Sequence, residues 1–129
     1  MTSERDLSRT QVNSENRTEE SIPLGEWLEQ LVARNGSDLL LVPQATAAIR
    51  LEGVLSAIGD RPLTGEEIEA AVMPALAAHA REEYQQYGIA DSSYRVQGLG
   101  RFRINLHRER GRAAATVRAR SPSRGRRWT

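Results

Sequence analysis

The sequence has no cysteine and no lysine, only two histidines, and no long apolar run. Without cysteine there are no disulfides, no thiol nucleophile and no thiolate metal ligands. The chain suits a reducing compartment, so cytoplasm is the expected location. His79 and His107 have neither a spacing partner nor a nearby carboxylate pattern of the metal-binding kind, which leaves no metal site and no catalytic residue to assign. No segment approaches the roughly 20 apolar residues a membrane helix needs. The first 21 residues lack the apolar stretch of a secretory signal, so a soluble, unexported chain is expected. All 18 basic residues are arginine, which reflects codon usage more than chemistry. It still matters, because a guanidinium stays charged when partly buried and grips phosphate or carboxylate in a bidentate fork.

At 129 residues the chain has the length of one domain. Its net charge of +1 hides a polarity: residues 1–94 hold 7 arginines against 16 acids, and residues 95–129 hold 11 against one. Such a chain either neutralises itself across its own fold or shows a basic face to an anionic partner. Residues 1–20 are polar, with only Leu7 and Val12 as sizeable aliphatic side chains, and are expected to be disordered. Residues 121–129, "SPSRGRRWT", continue no pattern and read as a disordered basic tail, leaving 21–120 as the folded domain.

Within that domain "SIPLGEWLEQLVARNG" predicts an amphipathic helix with Pro23 near its start, Trp27, Leu28, Leu31 and Val32 on one face, and Asn35-Gly36 as its stop. "SDLLLVP" is a brief apolar run, and "AAIRLEGVLSAI" offers two strands around a Glu52-Gly53 turn. "LTGEEIEAAVM" carries a complete helix start: Thr64 as N-cap, Glu67 as its reciprocal partner, and Leu63 stapled to Ile68. Pro74 should end that helix and open the next at its first turn, with Leu76, Ala80, Tyr84 and Tyr87 on one stripe and Gly88 as the stop. The period then falls to 2, through Tyr94 and Val96, Phe102, Ile104 and Leu106, and "AAATVRA", with turns at Gly98 to Gly100 and at Gly111. An α+β domain with one mixed or antiparallel sheet and helices on one face follows.

The stretch "RFRINLHRERGRAAATVRAR" holds seven arginines. Alternation sends Phe102, Ile104 and Leu106 one way and Arg101, Arg103, Asn105 and His107 the other; Thr116, Arg118 and Arg120 share a face in the next strand. The plain explanation is the solvated face of a half-buried sheet. Four arginines on two paired strands repel one another, however, unless something anionic intervenes, and the acid-rich helices are one source of it.

Taken in order, "SDLLL" after a short helix, "IRLEG", "EEYQQYG", "ADSSY" and "GRFRIN" followed by "RERGRAAATVR" resemble the N-terminal domain of type IV pilus retraction, or twitching motility, ATPases of the PilT type, in the wider family of pilus and secretion motor ATPases. The resemblance runs from about Leu24 to Arg118. Leu40 stands where that family has a histidine, Thr46 and Ala47 where it has a proline pair, and Ser92 where it has an aromatic. The resemblance implies a PAS-like fold, a largely antiparallel sheet of about six strands, placed before a RecA-like ATPase domain in a hexameric ring. It also implies that arginines of this domain reach nucleotide held on the ATPase domain. Position by position these are Arg103 and Arg118, as contacts to nucleotide phosphates of a partner ATPase domain.

A phosphate-cradling loop would need the GxxxxGK[ST] pattern, and the sequence has no lysine. The expectation is therefore a non-catalytic chain, stand-alone or from a shortened gene, that takes no cofactor by itself and meets ATP only through a full-length pilus or secretion motor ATPase. A free-standing module that binds nucleic acid or another polyanion is the competing reading, with His107 and Trp128 as stacking groups and, against it, Phe102 on the core parity. A ligand sensor is a third, but Trp27, Tyr84 and Tyr87 read as core. His79 reads as a boundary residue and Glu82-Glu83 as a solvated helix face.

Overall fold

The computed structural model of the chain describes residues 24–120. The expectations for residues 1–20 and 121–129, together with Pro23 and Trp128, lie outside the described residues. The elements run α1 (Leu24–Ala33), β1 (Asp38–Leu41), β2 (Thr46–Leu51), β3 (Val54–Pro62), α2 (Gly65–Val72), a single 3-10 turn (Met73–Ala75), α3 (Ala78–Tyr87), β4 (Ile89–Val96), β5 (Gly100–Glu109) and β6 (Arg112–Arg120). The six strands form one antiparallel sheet in the order β3-β2-β1-β6-β5-β4. The α+β class expected from the sequence is the class observed.

Local chemistry explains the turns. Glu52 and Gly53 both have positive φ, as do Arg110 and Gly111, so each pair makes a tight two-residue hairpin whose twist matches its strands. The short β1 is central because two hairpin systems close on it. β2 pairs with one edge, Leu39 opposite Ile49, and β6 with the other, Leu39 opposite Val117.

One face of the sheet is the core face. Leu39, Leu41, Ile49, Phe102, Ile104, Leu106, Ala113, Ala115 and Val117 point into it and meet Leu24, Trp27, Leu28 and Leu31 of α1, Ile68 and Val72 of α2, and Ala80 and Tyr84 of α3. All three helices therefore cover the same face, and residues of odd number on β5 face away from them.

Three sequence expectations need correction. Val32 is exposed, because Leu24, Trp27, Leu28 and Leu31 already fill the stripe that meets the sheet. Tyr87 is 70% exposed. α3 lies over the edge strand β4, so its last turn runs past the core before Gly88 ends it in the left-handed conformation. Pro74 ends α2 but does not open α3: it sits in the 3-10 turn, Leu76 leaves that turn extended, and α3 starts at Ala78. Ser92 supplies a polar anchor there. Its buried hydroxyl, on the core face of β4, accepts the backbone N–H of Ala77, the residue that caps α3.

The start of α2 is the capping box read from the sequence. The Thr64 hydroxyl accepts from Glu67 N and the Glu67 carboxylate accepts from Thr64 N, each within about 3 Å. Arg61 adds two contacts to the same carboxylate, at 2.9 and 2.7 Å. The hydrogen bond from Arg61, followed by the one from the Thr64 backbone, holds the Glu67 carboxyl down at about 2, against an ordinary value of 4.5. Because the folded state depresses this group, its contribution is present above pH 4.5 and is lost as pH falls from there towards 2. Glu67→Gln should accordingly lose stability at pH 7 and flatten the fall in thermal midpoint between pH 4.5 and pH 2, as read by circular dichroism.

Candidate functional site: an arginine face on the open side of the sheet

Opposite the helices, among the described residues, the sheet carries no covering element. The register places arginines there in adjacent rows. Arg103 of β5 lies directly opposite Arg118 of β6, and Arg101 opposite Arg120 on one side and Arg95 of β4 on the other. Directly opposite residues of an antiparallel pair have Cα atoms about 4.5–5.5 Å apart, so these guanidiniums share one local field. Arg95, Arg101, Arg103, Arg118 and Arg120 are all exposed. Parity alone could establish that they share a face. Which pairs meet depended on the register, and the register brings the two arginines singled out from the sequence, Arg103 and Arg118, together.

The counter-charge comes from a different place than the sequence reading sought. The acid-rich helices cover the other face, and the carboxylate beside Arg118 belongs to Asp38 at the start of β1. Asp38 is directly opposite Arg118 on β6 and Arg50 on β2. Its Oδ1 accepts from Arg118 Nε at 3.1 Å, its Oδ2 lies 3.3 Å from Arg50 Nε, and the Ser37 hydroxyl donates to Oδ2 at 2.9 Å. Burial pushes the Asp38 carboxyl up. The hydrogen bonds from Ser37 and Arg118 and the charges of Arg118 and Arg50 outweigh that, and the group is held below its ordinary value. One row across the sheet thus reads Arg50, Asp38, Arg118, Arg103, Ser93.

Asp38 was not singled out from the sequence. The faint signal was an acid opening an otherwise apolar four-residue strand, "DLLL", where a central strand has no reason to bury a charge unless neighbours pair it. Further along, Asn105 donates to Asp91 at 3.1 Å and contacts His107 Nδ1 at 3.0 Å, so the half-buried His107 sits in a small polar cluster on this face. His79 is exposed.

Arg108 goes elsewhere. It donates from Nε to the Tyr84 hydroxyl at 3.1 Å and from Nη2 to Glu69 at 3.2 Å, with its Cζ 4.6 Å from the Tyr84 ring centre. It pins the end of β5 to α2 and α3. Beside it a cleft of about 570 Å³ is lined by Thr64, Gly65, Glu66, Glu69, Arg108 and Arg112. Its charges are mixed, and Arg108 is already engaged. Among the described residues no group of three or more His, Cys, Asp or Glu could hold a metal ion, and no helix is long and apolar enough to cross a membrane.

No family model matches the chain. Over 93 residues, 72% of its length, it is 27% identical to the type IV pilus retraction ATPase PilT of Pseudomonas aeruginosa, of which it spans 27%. A crystal structure of the pilus retraction motor PilT with bound ADP superposes with a TM-score of 0.68 at 25% identity, over 75% of this chain and 29% of that one. The ATPase DotB of Legionella pneumophila shares the fold with a TM-score of 0.64 at 19% identity, over 76% of this chain and 28% of that one. The chain thus spans under a third of the length of these relatives, and it resembles, in sequence and in fold, the N-terminal domain of PilT-type ATPases.

Proposed function

We propose that this chain acts as the N-terminal-type domain of a pilus or secretion motor ATPase, non-catalytic by itself, that lends Arg103 and Arg118 to nucleotide phosphates held on a partner ATPase domain in a hexameric ring. The observation that carries the reading is the register: Arg103 lies directly opposite Arg118 on a sheet face that no described element covers. Side chains from directly opposite positions can reach neighbouring anionic groups of one di- or triphosphate, and arginine is the side chain suited to such a grip. The stretch of PilT that the chain resembles is the N-terminal domain, and the sequence has no lysine for a phosphate loop. ATP is accordingly met only through the partner.

The test is addition of the purified chain to a PilT-type motor ATPase, with co-purification and steady-state ATP turnover as readouts. Micromolar association and a changed turnover are expected, both reduced at least tenfold in Arg103→Ala, since a charge-assisted hydrogen bond contributes about 1.5–3 kcal/mol. No association at micromolar concentration would remove the reading.

The further row Arg95, Arg101 and Arg120 widens the patch and favours, as a second reading, a module for nucleic acid or another polyanion. The core position of Phe102 counts against it, because the ring that the strands do place on the open face, His107, is half-buried in the cluster with Asn105 and Asp91. A mobility shift with single- and double-stranded DNA and RNA at low salt separates the two: steeply salt-dependent binding supports the module, and absence of a shift excludes it.

A further inference from the structure

The densest set of polar contacts on the open face is at Asp38, and the accessibility of its partners is lopsided. The Asp38 side chain is 8% exposed, whereas that of Arg118 is 70% exposed and that of Arg50 39%. The carboxylate is thus sunk between strands while the guanidiniums it holds stand in solvent. Its contacts are Arg118 Nε at 3.1 Å, Arg50 Nε at 3.3 Å and the Ser37 hydroxyl at 2.9 Å. A guanidinium has five N–H donors, one of them on Nε. Held at Nε, Arg118 keeps its terminal nitrogens for a second partner.

We infer that Asp38 is a positioning residue: it anchors Arg118, and with it Arg50, by the inner edge of the guanidinium, so that the outer edge is already set for the adjacent phosphates of a nucleoside di- or triphosphate. The inference rests on the function proposed above and deepens it. Arg118 faces Arg103 across β5 and β6 and Asp38 across β1 and β6. Its carboxylate anchor therefore draws it to the side away from the like charge. Without that anchor Arg118 and Arg50 would spread into water, and an arriving anion would have to order two long side chains at the moment of binding. A negative charge on the face also opposes an incoming anion, so preorganisation and simple charge predict opposite effects of removing it. That opposition makes the role testable.

Inorganic tripolyphosphate is titrated calorimetrically into the full chain at low salt, alongside Asp38→Asn, Asp38→Glu and Arg103→Ala. Arginine Nε–Hε resonances are recorded without ligand, and folding is checked by circular dichroism. Wild type should show a slowly exchanging Arg118 Hε that both Asp38 variants lose. Tripolyphosphate affinity should fall about tenfold in both, although one variant removes a charge and the other only moves it by one methylene. Affinity in Asp38→Asn equal to or tighter than wild type would overturn the positioning role, Asp38 then being no more than a competing anion. If Asp38→Asn does not fold, unchanged affinity in Asp38→Glu overturns it equally. Failure of wild type to bind, or full binding by Arg103→Ala, sinks the phosphate reading of the face and this role with it. Binding lost in Arg103→Ala but intact in both Asp38 variants sinks the positioning role alone.

Discussion

Phe102→Ala should cost about 3–5 kcal/mol of folding stability, while Arg101→Ala, one residue earlier on the same strand, should change it by less than about 0.5 kcal/mol. Phe102 is buried on the core face, on a strand flanked on both sides, whereas Arg101 stands in solvent on the open face. Domains of this size have roughly 5–15 kcal/mol in total, so the first substitution removes a large share and the second almost none. Urea unfolding followed by circular dichroism checks the pair: with a slope of about 1–3 kcal/mol per molar, the midpoint for Phe102→Ala should fall by more than about 1 M. Equal effects of the two substitutions would mean that β5 does not present its odd and even residues to different environments, and the arginine face would go with it.

That contrast was legible in the sequence because alternation is a local property: Phe102, Ile104 and Leu106 declare their side of the sheet from their own spacing. So were the turns, where Gly53, Gly88 and Gly111 stand at positive φ, and the capping box of α2, whose four residues carry their own hydrogen bonds. Helix stripes were read too widely. A period of 3.6 puts Val32 and Tyr87 near the apolar face, but only the sheet decides how much of that face is covered, and the sheet ends at β4 below Tyr87. The site was half legible. Arg103 and Arg118 could be named and assigned to one face, yet their meeting depends on the β5–β6 register. The Asp38 anchor depends on pairing β1 with a strand 80 positions away in the chain. No periodicity reports such a contact, because it is made by the closing of two hairpin systems and not by any segment of either.

The register also makes the two arginines unequal. Arg103→Glu should weaken tripolyphosphate binding, and the effect on a PilT-type motor, on the order of a hundredfold, since it removes one charge-assisted contact and replaces it with a repulsive one. Its effect on stability should nevertheless be small and favourable, up to about 0.5 kcal/mol, because the new carboxylate lies opposite Arg118 on an exposed face and relieves a like-charge pair. Arg118→Glu should lose as much binding and destabilise as well. It strips Asp38 of its Oδ1 partner and sets a second carboxylate directly opposite a buried one, leaving Arg50 and Ser37 to hold it. A like charge beside Asp38 raises its carboxyl in the folded state, so the stability deficit of Arg118→Glu should shrink as pH falls and Asp38 takes up a proton. Thermal midpoints of both variants at pH 7 and pH 4, set beside their calorimetric affinities, test the asymmetry. If the two reversals cost the fold the same amount, Asp38 is not the partner that separates them. If Arg103→Glu binds anion as wild type does, the open face is only a solvated one.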